Sequence, residues 1–188
     1  QGAFGGSVAL GATSVFVGDY LDSQAAVHAG VAYVFDLVEA YTVYCVAKNN
    51  SLGCSPSIAA QGAGSATQSQ GMVISCAQVL NNKPGLLLYS IAGRSSAPFQ
   101  GGILCVSQPV HRTPGLSSGG TSAPAQDCSG AYSIDMNSFA RGALGGQPIP
   151  ALGVPGTLVQ CQWWGRDPGF GAPNNSMLSD AAEYTIVQ

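Results

Sequence analysis

The chain has 188 residues, of which only 8% are charged, with 6 Lys+Arg against 9 Asp+Glu and a formal net charge of −3. An ordinary soluble domain carries roughly 25% charged residues, so this surface must be polar through Ser, Thr, Asn, Gln and Gly and repels copies of itself weakly. Six scattered basic residues offer no Lys/Arg stripe for phosphates, which excludes nucleic acid as a partner. No apolar run approaches the ~18 residues of a membrane helix, which excludes a membrane span.

The first residues alternate short apolar runs with turn residues: Ser7 to Leu10, Ser14 to Val17, Val31 to Phe35 and Tyr41 to Cys45. Gly11, Gly18, Gly30 and the corner from Asp36 to Glu39 punctuate them. Four strands with short connections follow, an antiparallel meander over 1–47. The Ser, Ala, Gly and Gln of 55–71 read as a loop or weak edge strand. Strand-like runs recur at Met72 to Leu80, Leu86 to Ile91, Gly102 to Val110, Ala131 to Asp135, Thr157 to Trp164 and Glu183 to Val187. Pro-Gly turns lie at Lys83-Pro84-Gly85, Thr113-Pro114-Gly115, Pro155-Gly156 and Asp167-Pro168-Gly169. The fold class is therefore all-β: an antiparallel β-sandwich over 48–188, either separate from the meander or continuous with it. One short helix is expected from Asp135 to Arg141, capped by Asp135.

Six cysteines, Cys45, Cys54, Cys76, Cys105, Cys128 and Cys161, show no C-x-x-C pair, which argues for disulfides over zinc and for an oxidising, extracellular or cell-surface location. They allow 15 pairings. The local reading joins Cys45 to Cys54 across a hairpin tip at Lys48 to Gly53 and Cys105 to Cys128 across a Gly/Ser/Pro loop, leaving Cys76 with Cys161. Gln1 is a common first residue after signal cleavage; the chain is either such a mature form or part of something longer.

The stretch Phe4-Gly5-Gly6-Ser7-Val8-Ala9-Leu10, with Val15-Phe16-Val17-Gly18-Asp19 and Ala29-Gly30-Val31-Ala32-Tyr33-Val34-Phe35, resembles an FG-GAP repeat, the blade unit of integrin-type β-propellers. The remainder, with Asn81 to Tyr89, Pro98 to Gly102 and Gln162 to Gly169, resembles the C-terminal β domain of large secreted FG-GAP-containing bacterial, planctomycete-like proteins. The resemblance implies a secreted or surface location. It implies no catalytic activity and no cofactor. Calcium-binding repeats of this kind carry a D-x-D-x-D-G loop, whereas here only Asp19 and Asp22 remain; Ca²⁺ normally takes 6 to 8 oxygen ligands, and both acids read better as turn residues. A propeller closes with 4 to 8 blades, so a single blade has to pair with something else.

His28 and His111 are the only histidines and sit in expected turns, with no G-x-S-x-G, H-E-x-x-H or phosphate loop beside them. Asp135 and Asp167 are the carboxylates a glycosidase reading would turn to; a helix cap and a turn account for them as well. In Gln162-Trp163-Trp164-Gly165-Arg166-Asp167, a tryptophan face with Arg166 and Asp167 suits a sugar. The plainer reading is packing, because Trp163 and Trp164 point to opposite faces of a strand and one of them belongs to the core. Val8, Leu10, Val15, Phe16 and Val17 form two uncharged strands without the usual protection against pairing with another chain. The expected function is a non-enzymatic, self-associating subunit of a surface fibre, sheath or layer, assembled by β-strand addition. The alternative is an adhesion or carbohydrate-binding module at the C-terminal end of a longer FG-GAP propeller, with glycans or surface proteins as partners.

Overall fold

The computed structural model describes residues 5–10, 14–20, 30–36 and 41–188, in two compact units, Gln1–Glu39 and Ala40–Gln188. Phe4, Asp22 and His28 lie outside the described residues. The first unit contains β1 (Ser7–Leu10), β2 (Ser14–Asp19) and β3 (Val31–Asp36) as an antiparallel sheet in the order β1-β2-β3. Its register pairs Val8 with Val17, Leu10 with Val15, and Phe16 with Val34.

The second unit runs β4 (Tyr41–Tyr44), β5 (Ser57–Gln61), β6 (Val73–Val79), β7 (Pro84–Ser90), β8 (Arg94–Phe99), β9 (Gly102–Val106), β10 (His111–Arg112), β11 (Leu116–Ser117), β12 (Gly130–Asp135), α1 (Met136–Ala140), β13 (Leu158–Arg166) and β14 (Ser176–Thr185). The central sheet has the order β10-β7-β13-β14-β4, with β11 also on β7. A second sheet, β12-β6-β5, and the hairpin β8-β9 complete the unit. All these ladders are antiparallel. The all-β, disulfide-bridged class read from the sequence is the observed one.

The main core lies between the central sheet and β12-β6-β5: Leu87, Tyr89, Val159, Cys161, Trp163, Ala182 and Tyr184 meet Ile58, Ile74, Cys76, Tyr132 and Ile134. Each large apolar side chain removed from water there stabilises the fold by about 1.5–3 kcal/mol. Two bulges make this face continuous. On β6, Ile74 and Cys76 alternate inward, but Val79 is buried too, which period two forbids; Gln78 at φ 58° is the extra residue in a register shift against Gly130 and Tyr132. On β14, Met177 and Ala182 both face the core five positions apart, because the register slips opposite Trp163. The Ser179 hydroxyl accepts the Trp163 backbone N–H there at 3.0 Å, and the Asp180 carboxylate reaches across to the Ile58 N–H at 2.6 Å. Asp180 thereby ties the edge of one sheet to the middle of the other.

Several expectations change. The fourth meander strand, β4, pairs with β14 in the second unit. Residues 176–182 of β14 and all of β8, β10 and β11 were not expected from the sequence, and His111, read as a turn residue, lies in β10 opposite Tyr89. The turn expected at Lys83-Pro84-Gly85 sits instead at Asn81-Asn82, with Pro84 and Gly85 inside β7. Asp135 does cap α1, its carboxylate accepting from the Ser138 N–H at 3.0 Å.

The disulfides are Cys45–Cys105 and Cys54–Cys128, while Cys76 and Cys161 are free thiols. The pairings Cys45–Cys54, Cys105–Cys128 and Cys76–Cys161 are thus all replaced. The turn after Lys48 exists, with Asn50 Oδ1 accepting from the N–H groups of Leu52 and Cys54. It connects β4 of the central sheet to β5 of the other sheet, so Cys45 and Cys54 enter different layers. Cys45 therefore meets β9, and Cys54 meets the segment before β12. Cys76 and Cys161 belong to opposing sheets and donate to Ala77 O and Ala182 O respectively.

Candidate functional site

Alternation along β13 divides its side chains between two environments. Val159, Cys161 and Trp163 enter the main core, where Trp163 is 0% exposed. Gln160, Gln162 and Trp164 take the opposite face, over which β8-β9 folds, burying Leu88, Leu104 and Val106 with Leu86, Phe99, Val110 and Trp164 packed against them.

Two buried glutamines fasten this hairpin. The Gln162 carbonyl accepts the Cys105 N–H at 3.0 Å, while its amide donates to Ile103 O at 3.0 Å and Ser179 O at 2.8 Å. Gln160 accepts the Gly93 N–H at 3.0 Å and donates to the Glu183 carboxylate at 2.8 Å. Glu183 in turn pairs with Arg94 at 2.8 Å, and the Arg94 guanidinium lies 4.3 Å from the centroid of the Tyr44 ring. Hydrogen bonding to Arg94 holds the Glu183 carboxyl below its ordinary range.

The tip of the hairpin is a two-residue turn with both φ values positive, 47° at Gln100 and 77° at Gly101, the geometry that matches the twist of the flanking strands. Lys48 holds this tip in place: its ammonium donates to Gln100 O at 2.7 Å, and to Asn174 O and Ser176 O at 2.6 Å each. It also lies 4.6 Å from the Phe170 ring centroid. Burial lowers the Lys48 pKa.

Beside the tip is a cavity of about 210 Å³ lined by Leu86, Leu88, Phe99, Gln100, Arg112 and Trp164. The register explains the grouping, since Trp164 pairs with Leu86 and Arg112 with Leu88 on one face. The Trp164 indole N–H donates to Gln100 Oε1 at 2.8 Å. The Arg112 side chain is exposed and makes no hydrogen bond or ion pair among the described residues.

The residues singled out in the sequence disperse. Of Trp163, Trp164, Arg166 and Asp167, only Trp164 lines the cavity. Arg166 is exposed, and Asp167 is buried, its carboxylate accepting from the Ser51 N–H and hydroxyl at 2.7 Å each and from the Gly169 N–H at 3.1 Å. Asp135 accepts from the N–H groups of Gly71 and Ser138, so both carboxylates of a glycosidase reading are engaged by backbone. His111 sits with its ring 5.3 Å from that of Tyr89. Asp19 is buried at the end of β2. No group of three His, Cys, Asp or Glu suited to a metal ion occurs among the described residues, and no helix among them is long and apolar enough to cross a membrane. Sequence reasoning did not single out Phe99, Gln100 and Arg112 as binding residues, and they come together only through strand pairing.

No protein-family model, no curated protein and no solved structure matches this chain.

Proposed function

We propose that the protein is a non-enzymatic extracellular structural subunit that associates with copies of itself through the β1-β2-β3 sheet. The observation that carries this reading is the exposure of apolar side chains on that sheet: Val8 62%, Leu10 76%, Phe16 44% and Val34 57%. The register puts Val8 and Leu10 on one face and Phe16 and Val34 on the other, so the sheet presents apolar groups on both sides, as a layer does that is covered on both. β1 is an edge strand without Lys, Pro or charge, open to strand addition. The net charge of −3 sets up little repulsion between copies, and two disulfides suit an oxidising compartment.

Sedimentation velocity over a wide concentration range, with negative-stain microscopy, tests the reading. The chain is expected to assemble, and the double substitution Val8→Lys, Leu10→Lys to remain monomeric. A wild-type chain that stays monomeric at high concentration overturns it. The second reading, an adhesion or carbohydrate-binding module, is favoured by a separate observation, the Trp164 cavity.

A further inference from the structure

We propose that the cavity beside Trp164 binds a carboxylate-bearing sugar residue, such as a uronic acid within an extracellular polysaccharide, with Arg112 as the group that holds the carboxylate. The proposal rests on the adhesion-module reading and sharpens it; assembly through β1-β2-β3 is independent of it.

Size comes first. A volume of about 210 Å³ gives room for one pyranose ring. The lining then selects chemistry. Leu86, Leu88, Phe99 and the Trp164 ring form an apolar and aromatic wall, which suits the C–H face of a sugar ring.

The polar groups are donors. The Trp164 N–H and the Gln100 carbonyl oxygen satisfy each other at 2.8 Å, leaving the Gln100 amide nitrogen and the Arg112 guanidinium to meet a ligand. Such a pair needs acceptors opposite it, and a guanidinium fork matches a carboxylate in bidentate fashion. No acid lines the cavity, so the positive charge of Arg112 is uncompensated there. The wall is also held before any ligand arrives, because Lys48 pins the Gln100 backbone carbonyl and Gln162 fastens β9 beneath it. A preformed wall spares the ordering cost of binding.

The test uses the full chain and titrates tetragalacturonate while following tryptophan fluorescence and heat. Trp163 is fully buried, so the optical change reports Trp164. A saturable signal is expected, about tenfold weaker in Arg112→Gln, with the fold of that exposed variant checked by circular dichroism, and unchanged in Arg166→Gln, an exposed arginine outside the cavity. The same tetrasaccharide with its carboxyls reduced to neutral galactose is expected not to saturate. Absence of saturable binding to either oligosaccharide overturns both the proposal and the adhesion reading. Equal binding of the neutral oligosaccharide overturns the acidic assignment while the adhesion reading stands. Equal weakening by Arg166→Gln shows unspecific attraction and overturns the site. Benzoate competing at the same affinity assigns the cavity to aromatic acids and overturns the sugar.

Discussion

The Tyr132 ring lies on the Trp163 indole at a centroid distance of 5.2 Å and an interplanar angle of 18°, and the space for it is made by Gly85 and Gly165, which are cross-strand partners on β7 and β13. A Cβ at Gly85 would run into the Tyr132 ring, and one at Gly165 would stand 2.6 Å from Met177 Cε and 2.8 Å from Tyr132 Oη. Tyr132 cannot swing away, since its hydroxyl donates to Lys83 O at 3.0 Å. The two glycines act as a socket for an aromatic pair at the centre of the core. Gly85→Ala and Gly165→Ala are each expected to cost about 1–3 kcal/mol by overpacking, measured by denaturant unfolding. Gly153→Ala, where nothing stands within 4 Å of the new methyl group, is the control and is expected to be nearly neutral.

Thiol accounting separates the observed pairing from three bridges. Alkylation of the native, unreduced chain is expected to label nothing: Cys76 and Cys161 are 1% and 0% exposed, and burial raises both thiol pKa values, that of Cys161 to about 12. Denaturation without reductant is expected to add two labels by mass, at Cys76 and Cys161, and reduction to add four more. Replacing both Cys54 and Cys128 by Ser is expected to cost about 2–4 kcal/mol.

Gln162 is fully buried and bonds β9, β13 and β14 together. Gln162→Leu keeps much of its volume but leaves the Cys105 N–H and two carbonyls without partners, for a loss of roughly 3 kcal/mol. Hydrogen exchange is expected to localise the opening to β8-β9, where Cys105 N–H protection falls most.

Acid stability has a sign that one substitution isolates. The Glu183 carboxyl sits below its usual 4.5, so its contribution is fully present above that pH and is lost as pH falls through the lowered folded value. Asp180 acts oppositely. Burial raises its carboxyl above 3.8, so its share is present below that pH and lost as pH rises through the raised folded value. Melting temperatures of wild type and Glu183→Gln are expected to differ at pH 7 and to converge only as pH falls through the lowered folded value of Glu183. A difference that stays constant with pH would assign Glu183 a packing role only.

The amino-acid sequence by itself determined the all-β class, most strand positions, the Asp135 cap and the opposite fates of Trp163 and Trp164. Each depends on neighbours a few residues apart, where side-chain alternation and capping chemistry act. It also exposed one wall of the candidate site, Trp164, through its place in an aromatic run. Tertiary structure alone decided the rest. β4 leaves the meander because β14 offers it a ladder, and the extra residue at Ser179-Asp180 breaks the two-residue period that would have revealed the whole of β14. The disulfides follow the layers rather than the chain, joining cysteines 60 and 74 residues apart. Arg112, Phe99 and Gln100 reach Trp164 only when β10 pairs with β7 and the β8-β9 hairpin folds over the central sheet. Such pairings depend on residues distant in the chain that must meet across the fold, and no local pattern encodes which of the possible partners they find.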